Sequence, residues 1–282
     1  MSPSLCILAS GSQGNASALR YPSGVILIDC GIGPRTAATR MKGLDICVGD
    51  VRAICLTHLD HDHFNINWVR EIVRLGILIF CHERCAEGLR RRADSLQMAE
   101  LIRTFNGSAF SPVDGISARP VAFPHDEQGS HGFVFEGFGS RIGFATDLGS
   151  VESSLHEAFT DLDLLAIESN YDPRMQRESA RPWFLKQRIM GGRGHLSNQQ
   201  AFDAVCAIFD ECEAAARRLP EHIVLLHRSA ECNCPNVVRQ TFSRDARMAK
   251  RLVLAEQDRR TGWLCAERAR PWVGSQMELQ WG

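Results

Sequence analysis

The segment Thr57–His63, with the sequence THLDHDH, constrains this chain more than any other feature. Three histidines and two aspartates fall within six residues, directly after the apolar run Val51–Leu56, which is typical of a buried strand. Unpaired imidazoles and carboxylates are costly to bury, so packing does not explain so many of them in one turn. A mixed set of imidazole and carboxylate ligands suits zinc, iron or manganese. The segment therefore predicts a metal site at the end of a strand.

The spacing within this segment narrows the choice of ligands. Written as H-x-D-x-D-H, it offers His58, Asp60, Asp62 and His63 as ligands, whereas His61 occupies an x position and is expected to face outward. A polar loop that caps a helix is the alternative, because short motifs also arise without function.

The composition is that of an ordinary globular chain. With 282 residues, 44% hydrophobic and 23% charged, it has room for one large α/β domain or two small ones. A formal net charge of −1 gives no overall attraction to nucleic acid, so any site for a polyanion must be a local patch. The 11 cysteines are odd in number and scattered, which favours reduced thiols in a cytoplasm. No apolar run approaches the roughly 20 residues of a membrane span, and no basic region precedes the apolar N-terminal residues, so we expect a cytoplasmic protein without a membrane partner.

Strand and helix patterns alternate in the first third of the chain, as in a layered α/β domain. The middle, residues 101–134, is rich in Gly, Pro, Ser and Phe and resembles antiparallel strands of a sandwich. No linker or repeat is visible, which favours a single domain over residues 1–282 with a C-terminal extension from about residue 239. Other predicted elements are strands at Leu5–Ala9, Val25–Asp29, Ile77–Cys81, Ser140–Ala145, Asp163–Ile167 and Ile223–Leu226, a turn at Ser10–Ser17, helices at Asn65–Leu75, Gln199–Arg217 and 239–251, and a hairpin at Leu252–Glu267.

The H-x-D-x-D-H segment resembles the H-x-H-x-D-H signature of the metallo-β-lactamase superfamily. There the first two histidines bind one metal, and the Asp-His pair binds a second metal nearby. Asp60 stands where the second histidine is expected. It replaces a neutral nitrogen ligand with an anionic oxygen, which favours manganese or iron over zinc. The resemblance implies a four-layer αββα sandwich of class α/β, with two β-sheets face to face, helices outside and the metals at one edge.

Three later residues, His125, Asp147 and His227, each follow a short apolar run. In the superfamily a later histidine completes site one, an aspartate bridges both metals, and a last histidine completes site two. The order along this chain is the same. The resemblance thus implies two divalent metal ions (Zn, Mn or Fe), with the ligands His58, Asp60, Asp62, His63, His125, Asp147 and His227.

Further motifs narrow the resemblance to the YycJ/WalJ-type branch of the superfamily. That branch comprises bacterial hydrolases whose implied activity is 5′-to-3′ exonuclease on DNA. The matching motifs extend from Leu8 to Ser229, but not beyond about Arg239, and Tyr171 stands where the branch tends to carry His. They are ILASGSQGNAS, TDLGS, ESNYD, GHLSN at Gly194–Asn198 and H-x-S at His227–Ser229.

These residues suit attack of a metal-activated hydroxide on phosphorus. Asp62 and His195 are the catalytic candidates: Asp62 can orient the nucleophile, and His195 can protonate the leaving oxygen beside a helix N-terminus, where phosphate binds readily. The alternative is that Ser197 merely caps that helix and His195 lies on the surface. Glu168 is either a partner that orients a ligand imidazole or a buried carboxylate that is simply satisfied. The substrate-binding candidates are Ser12, Asn15, Asn170, Arg193 and Ser197.

Basic residues are concentrated between Asn170 and His195, where six stand against two acidic ones, with Trp183 and Phe184 among them. Arginines with aromatics suit a nucleic-acid backbone and its bases, whereas a solvated loop is the simpler alternative. The Arg90–Arg92 run is expected to be an exposed helix end. We therefore predict a metal-dependent phosphodiester hydrolase, with DNA preferred to RNA, acting as a 5′-to-3′ DNA exonuclease. The alternatives are a hydrolase of a cyclic phosphodiester, lactone or thioester, and a metal-binding regulatory protein.

Overall fold

The computed structural model describes residues 2–151 and 153–266 of the protein. In this part of the chain the strands form two sheets, ordered β13-β1-β2-β3-β4-β5-β6 and β12-β11-β10-β9-β8-β7. The strands are β1 (Ser4–Ala9), β2 (Ala16–Tyr21), β3 (Gly24–Ile28), β4 (Val51–Cys55), β5 (Leu78–His82), β6 (Ile102–Phe105), β7 (Ser117–Phe123), β8 (Ser130–Gly137), β9 (Ser140–Ala145), β10 (Leu164–Glu168), β11 (His222–Leu226), β12 (Leu252–Leu254) and β13 (Leu264–Cys265).

The helices lie outside the two sheets. They are α1 (Pro34–Met41), α2 (Trp68–Leu75), α3 (Glu83–Ala93), α4 (Leu96–Ala99), α5 (Ser153–Ala158), α6 (Pro173–Glu178), α7 (Trp183–Met190), α8 (Asn198–Ala214) and α9 (Pro235–Phe242), with a short 3₁₀ turn at Val48–Asp50. None of the helices in the described ranges is both long and apolar enough to cross a membrane.

Successive side chains along each strand face opposite sides of its sheet, and this alternation builds the layers of the sandwich. In β1, Leu5 and Ile7 face the core between the sheets with Phe133 of the opposite sheet, whereas Cys6 and Leu8 face the core under the outer helices. The second sheet is covered in the same way by α8, whose buried residues include Val205, Ile208 and Phe209. Sheets buried on both faces need apolar residues at every position, which explains the unbroken apolar runs in the sequence. The predicted four-layer αββα sandwich is confirmed.

The strand directions decide where the functional residues meet. Strands β3, β4, β5 and β6 run parallel, and so do β9, β10, β11 and β12. Because the carboxyl ends of parallel strands share one edge of a sheet, the residues that follow β3, β4, β9, β10 and β11 gather at one place. The Thr57 carbonyl accepts a hydrogen bond of 3.0 Å from the His131 amide, which joins the two sheets at this edge.

The structure corrects the predicted C-terminal elements. The helix predicted over residues 239–251 is instead α9, which begins earlier, at Pro235, and ends at Phe242. Turns follow it. The predicted hairpin over Leu252–Glu267 is wrong. Strand β12 pairs in parallel with β11 in one sheet, whereas β13 pairs antiparallel with β1 in the other; Glu267 lies outside the described residues. The predicted turn at Ser10–Ser17 also ends earlier, since β2 begins at Ala16.

Candidate metal centre

The ligand turn Thr57–His63 follows β4 and is held by its neighbours' backbone. The Asp62 carbonyl accepts a hydrogen bond of 2.7 Å from the Asn15 amide, and the His63 carbonyl accepts one of 2.9 Å from the Cys30 amide. The His61 side chain is 91% exposed and belongs to none of the compact donor groups, as its x position predicts.

Gly31 permits this close packing. A Cβ atom at this position would lie 1.8 Å from the Asp62 carbonyl oxygen and 2.8 Å from the Asn15 amide nitrogen. No side chain fits there unless the two backbones separate, so glycine is favoured by their close approach rather than by its own dihedral angles.

The structure brings all seven predicted ligands together. His58, Asp60 and His125 form one group of donor atoms, all within 4.8 Å of one another. Asp62, His63 and His227 form a second group of the same compactness. Asp147 lies between the two groups: its Oδ2 is 3.1 Å from His63 Nε2, and its Oδ1 is 3.9 Å from His125 Nε2.

Each of the four imidazoles is anchored through its Nδ1 atom. His63 Nδ1 lies 2.7 Å from an Asp29 carboxylate oxygen, and His58 Nδ1 lies 3.0 Å from the Thr57 hydroxyl, which itself donates to Asp29. His125 Nδ1 is 2.9 Å from the Gly194 carbonyl, and His227 Nδ1 is 3.0 Å from Glu168. A donated Nδ1–H leaves the Nε2 lone pair for a metal, the arrangement usual for ligating histidines.

The free ring atoms fit a divalent cation. His227 Nε2 is buried without a hydrogen-bond partner among the described residues, and it faces Asp62 Oδ2 at 3.6 Å. A buried polar atom without a partner is costly, and a bound cation would remove that cost. Nitrogen and carboxylate donors in two neighbouring groups match the ligands that first-row metals take.

Electrostatics among the residues of the centre favour charged carboxylates and a charged imidazole. Burial raises the pKa of Asp147, but the facing His227 and His63 rings outweigh it and hold that pKa well below its usual range. Burial alone would lower the pKa of His227, yet Asp147, Asp62 and Glu168 raise it to about 10. By contrast, burial and the neighbouring His63 hold the pKa of His58 well below its usual range. The additional proton on His227 therefore occupies a position that a cation can take instead.

Three residues that close strands at this edge have left-handed backbone conformations. The φ angles are 59° at Asp29, 56° at Asp147 and 51° at His227. Non-glycine residues rarely adopt positive φ, and such strain concentrates at functional sites. The conformation turns each chain sharply after its strand, so that the side chain faces the centre.

A pocket of about 380 Å³ opens above the centre. Of the predicted substrate-binding residues, Ser12 and Asn170 line it, and Arg193 lines a neighbouring groove. Asn15 and Ser197 were also predicted to bind substrate, but both are buried and neither lines these cavities. Asn15 instead accepts from the Gly11 amide and contacts His63, and the Ser197 hydroxyl caps α8 by accepting from the Gln200 amide.

His195 reaches the pocket from the loop before α8. Its Nδ1 atom lies 2.8 Å from Glu168 Oε1, and its side chain is 20% exposed. Glu168 is fully buried and also accepts from the Leu148 and Leu196 amides. The carboxylate therefore fixes the ring and leaves Nε2 as the ring atom available to the pocket.

Sequence analysis missed one supporting residue, Asp29, and left the role of another, Glu168, undecided. Asp29 was only the last residue of a predicted strand, yet it anchors the ligand turn through His63 and Thr57. Glu168 was open between two roles, and it contacts two of the imidazoles, His195 and His227. In both cases the available signal was an acidic residue at the end of a buried strand.

A family model described as the beta-lactamase superfamily domain matches residues 25–223. The chain belongs to the metallo-β-lactamase superfamily. It is a YycJ/WalJ-like hydrolase of this fold, and its His/Asp clusters indicate the use of divalent metal.

Two curated relatives align with most of the length of this chain. An exodeoxyribonuclease YycJ of Bacillus anthracis is 24% identical over 245 residues, 84% of this chain and 86% of the relative. An exodeoxyribonuclease WalJ of Streptococcus pneumoniae is 27% identical over 245 residues, 84% of this chain and 85% of the relative. The crystal structure of YhfI from Bacillus subtilis shares the fold, with a TM-score of 0.65, 13% identity and coverage of 93% of this chain and 99% of that one.

Proposed function

We propose that this hydrolase cleaves phosphodiester bonds in DNA as a 5′-to-3′ exonuclease. The observation that carries the proposal is Asp147, which lies between two compact donor groups on the floor of a pocket. Two cations that share one carboxylate suit in-line displacement at phosphorus. The names of the curated relatives, both exodeoxyribonucleases, support DNA as the substrate. The direction of digestion follows from the resemblance to the YycJ/WalJ-type branch.

The donor groups suit two divalent metal ions. His58, Asp60 and His125 would hold one, Asp62, His63 and His227 the other, with Asp147 shared. Bound ions would lower the pKa of a water molecule and stabilise charge on the phosphate oxygens. Asp60 supplies an anionic oxygen, so we propose manganese or iron in preference to zinc at the first position.

The residues of the chain supply orientation and a proton. The half-buried position of Asp62 beside His227 suits it to accept a hydrogen bond from the attacking oxygen and so aim it at phosphorus. As the new oxygen–phosphorus bond forms, the bond to the leaving oxygen breaks. His195 would then donate the Nε2 proton to that oxygen, while Glu168 holds the ring in place through its Nδ1 atom.

End-labelled DNA tests the proposal directly. With manganese supplied, a strand labelled at its 5′ end should release the label as a mononucleotide at once, whereas a 3′ label should remain on a shortening series. Asp147→Asn should lower the rate more than about 100-fold, because the shared ligand loses its charge. Asp94→Asn is the matched control, since Asp94 is also a left-handed aspartate but is exposed at the end of α3. Equal rates for the two variants would contradict the proposal.

Two further measurements separate the competing functions. A hydrolase of small molecules gains nothing from a longer strand, so turnover that does not depend on DNA length would favour that class. Bound metal without turnover of any phosphodiester would instead favour a metal-binding regulatory protein.

A further inference from the structure

A second, larger cavity joins the metal centre from one side. This groove has a volume of about 990 Å³ and shares His58, Asp60 and His125 with the pocket. These are the donors of the first group only, whereas the pocket of about 380 Å³ also borders Asp62 and His227 of the second group. The two cavities therefore leave the centre in different directions. A substrate held at the centre has the smaller pocket on one side and the larger groove on the other.

Arginines stand on both banks of this groove. One bank is α3, and the other is the end of α7 with the glycine-rich loop that follows it. The arginines are Arg84, Arg91 and Arg92 on the first bank, and Arg188 and Arg193 on the second.

Some of these charges are already paired. Arg188 binds Asp126, and Arg91 Nε lies 3.6 Å from a carboxylate oxygen of its own helix. Within residues 2–151 and 153–266, no carboxylate lies within 4.0 Å of a guanidinium nitrogen of Arg84, Arg92 or Arg193, and Arg92 donates to a backbone carbonyl. The guanidinium charges of Arg84, Arg92 and Arg193 therefore remain for an anion, against the carboxylates of Glu127 and Asp60, and Asp60 is one of the residues assigned to a metal.

Two exposed aromatics extend one bank. Trp183 and Phe184 are 71% and 72% exposed, in the first turn of α7. Residues four apart in a helix lie on the same face, so Trp183 is in line with Gln187 and Phe184 with Arg188. Both Gln187 and Arg188 line the groove. Large apolar side chains at a charged wall suit nucleobases, because every base has a face on which an aromatic ring stacks.

We propose that the groove is the track for the DNA strand being degraded, which lies in it as a single strand. Its phosphates contact Arg84, Arg92 and Arg193, and its bases stack on Trp183 and Phe184. The smaller pocket takes the terminal nucleotide, and the cleaved bond lies over the metal centre between the two cavities. This inference rests on the proposed function and adds which surface binds the strand and in what form.

The test compares a long ligand with a short one, using manganese-loaded protein. The long ligand is a single-stranded 12-mer with phosphorothioate linkages, which binds but resists hydrolysis; the short substrate is a dinucleotide. The double variant W183A/F184A should weaken 12-mer binding, measured by fluorescence anisotropy, by about tenfold or more, and leave dinucleotide turnover unchanged. Phe138→Ala is the control, since Phe138 is also exposed but lies in the β8–β9 turn.

Salt dependence tests the arginines separately. Removing one phosphate contact to a single strand should reduce the slope of log K against log salt by about 0.7. We expect that reduction for Arg84→Ala and none for Arg90→Ala, which changes an exposed arginine of the same helix outside the groove.

Each outcome decides the inference. Unchanged 12-mer binding in both test variants would overturn it, even if the wild-type protein digests DNA and the proposed function stands. Equal losses on the 12-mer and the dinucleotide would assign the aromatics to the metal centre and also overturn it. A blunt duplex that binds as tightly as the single strand would overturn the single-stranded track. If no phosphodiester is hydrolysed, the proposed function fails, while the anisotropy still measures the groove.

Discussion

Replacing Gly31 with alanine should empty the second donor group without unfolding the protein. Gly31 lies against the backbone of the ligand turn, and the added methyl carbon would sit 1.8 Å from the Asp62 carbonyl oxygen. Real Cβ atoms essentially never approach closer than 3.0 Å, so the two segments must separate by about 1.2 Å.

That displacement is large compared with what a metal site tolerates. The bond from the Asn15 amide to the Asp62 carbonyl, now 2.7 Å, would lengthen beyond hydrogen-bond range, and His63 would move with Asp62. Metal–ligand distances are fixed to about 0.2 Å, several times less than the shift. We expect metal affinity at this group to fall by about 10- to 100-fold, and the strain to cost about 1–3 kcal/mol of stability.

The assay is metal content after equilibration with limiting manganese, measured alongside thermal unfolding and phosphodiester turnover. Gly33→Ala is the matched control, because it changes the same segment two residues on. A Cβ atom there would meet only Asn65 Nδ2 at 4.0 Å. The control should retain metal and activity. A Gly31→Ala protein with full metal content and wild-type turnover would refute the packing argument.

Three more outcomes follow from the geometry of the centre. Asp60→His should shift metal preference toward zinc, which elemental analysis of protein loaded from a zinc and manganese mixture would detect. His195→Ala should lower turnover by about 100-fold but keep the metal, since His195 is outside the two groups assigned to the metals and its Nδ1 atom lies 2.8 Å from Glu168; loss of metal would show that His195 is a ligand. Because the pKa of His227 is raised to about 10, a metal must displace a proton from this ring in order to bind. Between pH 7 and pH 10, the apparent metal affinity should therefore rise about tenfold per pH unit for each proton released. Titration calorimetry in buffers of different ionisation enthalpy measures that release, and an affinity independent of pH would contradict it.

The metal centre could be predicted from the sequence because its residue types are chemically distinctive. Histidines and aspartates at the ends of apolar strands have few structural roles, and parallel strands bring such ends together. Ser197 and Asn15 show the limit of that reasoning. Serine and asparagine at a turn serve equally well as caps and as substrate contacts, and only the positions of the Gln200 and Gly11 amides distinguish the two roles.

The supporting role of Asp29 could not be predicted, because it depends on pairing between distant strands. Nothing in the sequence VILID distinguishes Asp29 from any acidic residue at a strand end. The Asp29 carboxylate anchors the ligand turn because β3 lies beside β4. The left-handed backbone of Asp29 turns this side chain toward Thr57 and His63. The prediction of a C-terminal hairpin was wrong for the same reason. Two short strands joined by a turn look like a hairpin until the partner of each is known.

The C-terminal segment fixes the first loop, which in turn contacts residues of the second donor group. Gln257 Oε1 accepts from the Gln13 amide, and Gln257 Nε2 donates to the Gly14 carbonyl, so one side chain fixes the Ser10–Asn15 loop. The Ser10 hydroxyl in turn accepts a 2.7 Å bond from the His227 amide, and Asn15 at the other end of the loop holds Asp62. Because β12 and β13 belong to different sheets, the segment between them keeps its place only while the two sheets stay face to face. The geometry of the metal centre therefore depends on the packing of the whole sandwich, and not on the ligand turn alone.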